Sequence, residues 1–265
     1  MSVIGFLGAG NMGEALIKGW DRSSEAGLTA YDPDRQRLER LCSETRLEAA
    51  ESSGEVAQKS DFIVVAVKPG MTRRVIQEVA PYLNGDKCLV SIAAGVRQHS
   101  LMEWSQRACP VVRVMPNTPA LVGRGVFALC LDDPRLKDEQ GAFLQELFDQ
   151  VGDVHIVQEA YFDAFTALVG TGPAYVAYAM ESMIEAGVAL GFPRNQSLEM
   201  VLSVFEGAVA LARQSGLSAT VLREMVTSPG GTSSAGMLEL DRKAVRSSII
   251  DAVIAASRRS QELGG

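Results

Sequence analysis

Ten consecutive residues, Thr227-Ser228-Pro229-Gly230-Gly231-Thr232-Ser233-Ser234-Ala235-Gly236, hold three glycines, a proline and five hydroxyl side chains. A helical pattern ends before this stretch and another begins within or just after it. Glycine lets backbone N–H groups approach a ligand. A helix start leaves N–H donors unpaired and partly positive, and hydroxyls add donors and acceptors without formal charge. The combination suits a small carboxylate; taken alone it fits a plain interhelical turn capped by serine or threonine at least as well. A second stretch, Gly8-Ala9-Gly10-Asn11-Met12-Gly13, follows the apolar run Val3-Ile4-Gly5-Phe6-Leu7 and precedes a helical pattern from Glu14. Gly-x-Gly-x-x-Gly between strand and helix is a pyrophosphate turn: the first glycine bends the chain, the second admits the phosphates and the third lets helix and strand pack closely. The run Thr29-Ala30-Tyr31 ends at Asp32, 22 residues beyond Gly10, where a carboxylate meets an adenine ribose 2′-hydroxyl. An Asx turn ahead of Pro33 is the other role open to Asp32.

These groups need a scaffold, and the apolar pattern supplies one. After Asp32 comes a helix over 34–44 carrying Arg35, Arg37 and Arg40, then a short strand near 47–49. Residues 60–67, with a continuous apolar run over 62–67, read as a buried parallel strand. It ends at Ala66-Val67-Lys68-Pro69, at the carboxyl edge where open α/β sheets bind ligands. Lys68 there either meets a cofactor or is solvated. A helix over 71–83 leads to a strand over 87–92, followed by the small residues Ala93-Ala94-Gly95; these admit a nicotinamide or tighten strand–helix packing. A strand over 110–115 ends in Pro116-Asn117-Thr118-Pro119, where two prolines stiffen a turn that brings Asn117 to the same edge. Strands over 126–130 and 153–157 flank a helix over 136–151. Residues 1–157 therefore read as a doubly wound, mainly parallel Rossmann-type α/β domain. Beyond residue 158 strand patterns vanish. Helices are expected over 163–169, 174–190, 193–214, 219–226 and 241–263, with Thr171 as a cap ahead of the second. The helix over 174–190 is apolar nearly all round and must be buried on every side. A helical domain of residues 158–265 has little interior for it, so a subunit interface follows.

Composition narrows the function. A net charge of −7 with no dense Lys/Arg run argues against nucleic acid. No uninterrupted apolar run reaches spanning length, and the chain enters a strand at once without a basic leader region, so a cytoplasmic protein is expected. Cys42, Cys88, Cys109 and Cys130 are far apart and lack histidine neighbours; they read as small core residues, with no metal site.

The nucleotide turn implies hydride transfer. Carbonyl reduction generally needs a positioned proton donor, and neither histidine qualifies: His99 lies in a polar helical stretch and His155 in a strand. A protonated C=N bond is already electrophilic, so it needs orientation and a hydrogen-bond partner for nitrogen more than an acid. A carboxylate-binding, hydroxyl-rich turn serves a cyclic imino acid, although lysine or water could act as acid in a carbonyl reductase.

Five motifs carry a resemblance over essentially the full length: residues 6–13, Ala66-Val67-Lys68-Pro69, Met115-Pro116-Asn117-Thr118-Pro119-Ala120, Gly170-Thr171-Gly172-Pro173-Ala174-Tyr175, and Val226-Thr227-Ser228-Pro229-Gly230-Gly231-Thr232. In that order they resemble the pyrroline-5-carboxylate reductases. The resemblance implies reduction of L-1-pyrroline-5-carboxylate to L-proline with NADP or NAD as cofactor. It implies cofactor contacts from Leu7, Gly8, Ala9, Gly10, Asn11, Met12, Gly13, Ala66, Val67, Lys68 and Pro69. Asp32, Ala93, Ala94, Gly95 and Asn117 complete the candidate cofactor site, with Ser53 where many members place an asparagine near the ribose. Ser228 and the backbone around Gly230, Gly231, Thr232 and Ser233 would hold the substrate carboxylate, and the Ser233 hydroxyl the ring nitrogen. Interlocked helical domains of two subunits, in many members a ring of dimers, are implied as well. The chain departs from the family at Ser233, where threonine is usual, and at Met237, where a branched aliphatic is usual. Asp32 favours a free 2′-hydroxyl, whereas Arg35 or Arg37 could attract a 2′-phosphate. A β-hydroxyacid dehydrogenase-like oxidoreductase is the competing enzyme reading, but it calls for a helical lysine after a glycine-rich turn; only Lys243 lies in the helical half. A non-catalytic NAD(P)-binding regulator is the third.

Overall fold

The structure, a computed structural model, describes residues 2–263. These divide into two compact units, residues 2–171 with 256–263, and residues 172–255. The first is built on eight strands: β1 (Val3–Leu7), β2 (Gly27–Tyr31), β3 (Glu48–Ala49), β4 (Phe62–Val65), β5 (Cys88–Ser91), β6 (Val111–Met115), β7 (Gly125–Cys130) and β8 (Gly152–Ile156). They form one sheet in the order β3-β2-β1-β4-β5-β6-β7-β8. Every pairing is parallel except β6 with β7, so the expected doubly wound, mainly parallel sheet is present. The order reverses beside β1: the chain proceeds outward to β2 and β3, then crosses to β4 on the other side. That switch point is where such sheets bind ligands.

Burial on both faces explains the apolar runs. Side chains alternate across a strand. Ile4, Phe6, Phe62 and Val64 face a core completed by Leu16 and Trp20 of α1 (Asn11–Ser23) and Phe148 of α6 (Asp138–Asp149). Leu7, Ile63, Val65 and Leu89 face the opposite core. Val56 of α3 (Ser53–Lys59), Ile76 of α4 (Pro69–Val79) and Leu101 of α5 (Gln98–Trp104) close it. In the first core Trp20 meets the Phe148 ring edge-on at 5.1 Å, and Phe148 lies 5.1 Å from Phe127. Burial pushes the Cys88 thiol well up and those of Cys109 and Cys130 to about 11, so these thiols are neutral core groups rather than nucleophiles. No cluster of three metal-ligating side chains occurs among the described residues.

Several elements differ from the sequence expectation. α3 is additional to the predicted elements. α7 (Phe162–Phe165) gives way to a π-helical turn over Thr166–Gly170. The Thr171 hydroxyl donates back to the Thr166 carbonyl at 3.0 Å rather than capping the next helix. The final helix expected over 241–263 begins at Val245 as α12 (Val245–Leu263), and a separate helix, α11 (Thr232–Arg242), precedes it, the two parted at Ala244 with φ 54°.

The second unit is helical throughout: α8 (Gly172–Ala189), α9 (Arg194–Ser215), α10 (Ala219–Met225), α11 and the first part of α12. α8 and α9 approach closely because Gly187 has no side chain; a Cβ there would lie 2.6 Å from Ser197 Oγ. Within one chain this unit buries little. Ile184 is the sole buried residue of α8, while Val176, Tyr178, Met183 and Val188 are exposed. No helix among the described residues is long and apolar enough to cross a membrane.

Phe148→Ala removes the ring shared by Trp20 and Phe127. It is expected to lower unfolding stability by about 3–5 kcal/mol, read as a reduced midpoint in denaturant titration.

Candidate functional site

At the switch point the chain leaves β1 through Gly8, whose φ of 99° L side chains rarely adopt; a Cβ there would also sit 2.8 Å from the Ala66 carbonyl oxygen. The third glycine, Gly13, lets α1 press onto the same neighbours: its Cβ would meet Gly8 O at 2.9 Å and the Ala66 methyl at 3.3 Å. The middle one faces open space. A Cβ on Gly10 would meet only the Arg37 guanidinium, at 3.9 Å. Gly10 is also the N-cap of α1 and makes no side-chain cap bond. The first-turn N–H groups of α1 therefore point, uncapped, into clear space, which is the arrangement a pyrophosphate needs.

Leu7, Gly8, Gly10, Asp32, Ser53, Ala66, Val67 and Lys68 line one cleft of about 580 Å³, so eight of the seventeen expected cofactor residues converge there. Tyr31, Arg37, Met71 and Arg74 line it too. Of these, Met71 and Arg74 lie on α4, which runs along the cleft; nothing in their local sequence distinguishes them from ordinary helix-surface residues. Lys68 is the N-cap of α4, with Pro69 at the first helical position. Ala9 and Gly13 are buried behind the turn, whereas Asn11 is exposed and Met12 half-buried on the first turn of α1.

Two groups depart from the expected grouping. Ala94 and Gly95, with Pro69, line a separate cleft of about 330 Å³ next to Trp104 and Leu263, and Ala93 is buried. The Asn117 amide spans its own turn: Oδ1 accepts from the Val126 N–H at 2.9 Å and Nδ2 donates to the Val169 carbonyl at 3.3 Å. Asp32, 8% exposed, makes the Asx turn and also lines the cleft. Its Oδ1 accepts from the Asp34 N–H at 2.9 Å, an Asx turn, while Oδ2 accepts from the Ala9 N–H at 2.7 Å and the residue lines the cleft.

The hydroxyl-rich stretch lies in the second unit. The chain turns at Gly230, φ 69°, and Gly231 is the N-cap of α11 without a side-chain cap bond. A Cβ on Gly231 would fall against the Ser228 hydroxyl, which would have to turn away to admit it. Thr227 donates its hydroxyl to the Arg223 carbonyl at 2.6 Å and thereby ends α10. Ser228 and Thr232 are exposed, and Ser233 is half-buried. These last three hydroxyls and the first-turn N–H groups of an eleven-residue helix gather at one helix start.

A mainly parallel sheet with an open glycine-rich turn at its switch point, followed in the chain by a helical unit, is the architecture of a nucleotide-binding oxidoreductase of the Rossmann class. Residues 3–95 match the family described as NADP oxidoreductase coenzyme F420-dependent, and residues 159–263 match Pyrroline-5-carboxylate reductase dimerisation. The chain belongs to the pyrroline-5-carboxylate reductase family. The Glycine max pyrroline-5-carboxylate reductase is 38% identical, over 98% of this chain and 95% of the relative. The NADP-bound crystal structure of Plasmodium falciparum pyrroline carboxylate reductase is 33% identical, with a TM-score of 0.90 over 100% of this chain and 98% of that one. A pyrroline-5-carboxylate reductase structure from Coxiella burnetii aligns with a TM-score of 0.93 at 28% identity, covering 100% and 99%. The dimerisation match covers the residues of α8 that expose an apolar surface, in keeping with a chain that pairs with another copy of itself.

Gly8→Ala sets a β-carbon against the Ala66 carbonyl in a disfavoured backbone region, with strain of about 1–3 kcal/mol. Dinucleotide affinity is expected to fall by roughly tenfold or more, measured by quenching of intrinsic fluorescence on titration.

Proposed function

We propose that this protein reduces L-1-pyrroline-5-carboxylate to L-proline by hydride transfer from NADH or NADPH, the last step of proline biosynthesis. The observation that carries the reading is the uncapped start of α11, where Gly231 leaves N–H donors free beside Ser228, Thr232 and Ser233. In this reading the substrate carboxylate takes the first-turn N–H groups of α11 and the Ser228 hydroxyl, supported by the positive end of the helix dipole. The Ser233 hydroxyl bonds the ring nitrogen. The reduced nicotinamide supplies the hydride when bound. Hydride adds to the imine carbon of the protonated C=N bond, the π pair becomes the nitrogen lone pair, and the positive charge is discharged without a second proton at that step. The chain then needs no histidine in the site, in keeping with the exposed positions of His99 and His155.

Residues 7–13, 66–69, Asp32 and Ser53 hold the dinucleotide in this scheme. Ala93, Ala94 and Gly95 serve the nicotinamide end, and Asn117 supports the edge of the site by fixing its turn. Residues 1–157 act as the dinucleotide-binding domain and residues 158–265 as the substrate and dimerisation domain. The helical domains of two copies interlock, a ring of dimers is the larger assembly, and the protein works in the cytoplasm. The exposed apolar residues of α8 support the pairing. The dehydrogenase alternative is less well supported, because Lys243 is the C-cap of α11, at the opposite end from the hydroxyl cluster. The regulator alternative leaves an open anion cradle without a task.

The reading is tested by following NADH and NADPH oxidation with pyrroline-5-carboxylate beside a panel of 3-oxo acids. Oxidation dependent on the imine is expected, and oxidation only with an oxo acid would refute it. Ser233→Ala is expected to reduce kcat by about 10²–10³ with dinucleotide affinity unchanged; full turnover in that variant removes Ser233 from the ring nitrogen.

A further inference from the structure

The end of β2 carries four charged groups whose arrangement bears on a narrower question: which form of the dinucleotide fits. Asp32 is fixed by two backbone donors, Ala9 N–H on Oδ2 at 2.7 Å and Asp34 N–H on Oδ1 at 2.9 Å. Its carboxylate is thus held at the cleft wall and cannot swing aside for an anion. Each oxygen retains a lone pair able to accept from a ribose hydroxyl. The N-terminus of α2 (Arg35–Glu44) would be the natural berth for a 2′-phosphate, but it is already taken: Asp34 is its N-cap and accepts from the Arg37 N–H at 3.1 Å. Arg35, the cation nearest that corner in sequence, is drawn away. It pairs with Glu51 at 3.0 Å and lies over the Tyr31 ring at 5.7 Å, and it does not line the cleft. Arg37 does line the cleft, but its guanidinium lies by Gly10, over the turn where the pyrophosphate would sit. Both forms of the cofactor carry that pyrophosphate.

We infer that Asp32, locked by Ala9 and Asp34, makes this protein select NADH over NADPH, with Arg37 serving the pyrophosphate of either form. The inference rests on the dinucleotide reading of the cleft. A 2′-phosphate placed at the ribose edge meets a carboxylate that cannot move and a helix start already capped by a second one. A free 2′-hydroxyl instead donates to Asp32. The remaining cations of the cleft, Lys68 and Arg74, belong to the N-cap and body of α4 rather than to the β2 corner.

The test is direct binding, without turnover: dissociation constants of the full-length protein for NADH and NADPH, and for ADP against adenosine 2′,5′-bisphosphate, by calorimetry at one salt concentration. NADH is expected to bind at least about tenfold more tightly than NADPH, with ADP ahead of the bisphosphate in the same sense. Asp32→Asn, which keeps one acceptor oxygen but no charge, and Asp32→Ser should each narrow that ratio by strengthening NADPH binding, with thermal melting confirming that both fold. Arg37→Ala should weaken both dinucleotides alike. Equal or tighter NADPH binding by the unaltered protein overturns the inference, as does a ratio unmoved by both Asp32 variants or an Arg37→Ala loss confined to NADPH. Binding of none of the four probes would instead remove the dinucleotide reading beneath it.

Discussion

The burial of one parallel sheet on both faces is the constraint from which the first unit follows. Strands such as β1 and β4 have no solvent side, so every residue along them is apolar or small, and their backbone groups are satisfied mainly by neighbouring strands. The polar ends of the strands are then left at the sheet edge. There the chain must turn tightly enough to send α1 back across β1 while Ala66 at the end of β4 presses from the side. Gly8 and Gly13 are the residues that permit this, with β-carbons that would otherwise strike Ala66 and the turn itself. The open space above Gly10 is a by-product of the same crowding: packing consumes two of the three glycines and leaves the middle one uncovered.

A similar physical device recurs in the helical unit. α1 and α11 both start at a glycine N-cap without a side-chain cap bond, Gly10 and Gly231. Three other helices use a side chain there: Asp34 caps α2, Ser52 caps α3 and Ser218 caps α10, while α4, α5 and α9 start at Lys68, Arg97 and Pro193 without such a bond. A helix whose cap is occupied has its first donors already answered, whereas one begun by a bare glycine keeps them for something else. What Gly10 and Gly231 share is that no side chain of the cap residue itself can cover the first donors, a property that owes nothing to charge.

Much of this was legible in the sequence, for identifiable reasons. Strands buried on both faces announce themselves as unbroken apolar runs, and the nucleotide turn has its glycines at spacings that sterics require. α3 was hidden because seven residues, 53–59, are too few to show a helical period. The separation of α11 from α12 was hidden for another reason. α11 begins in serines and threonines that read as loop, and the break at Ala244 uses a left-handed alanine where glycine would have marked it. Asp32 and Asn117 show the limit of reading residue types at an edge: the hydrogen bonds that occupy them run to Ala9, Asp34, Val126 and Val169. Two of those partners lie far along the chain from the side chain they engage.

The exposed apolar helices of the second unit have a consequence beyond assembly. Tyr178, Leu190, Leu238, Ile249 and Ile250 are more than half exposed in the single chain. To cellular quality control, a newly made protomer without its partner resembles an unfinished fold, and it stays open to chaperones and proteases until it is paired. The amount of mature protein then grows more steeply than in simple proportion to synthesis, because encounter between copies competes with clearance. A cell making few copies would hold disproportionately little of it, a form of dosage control written into the apolar surface of the helical unit.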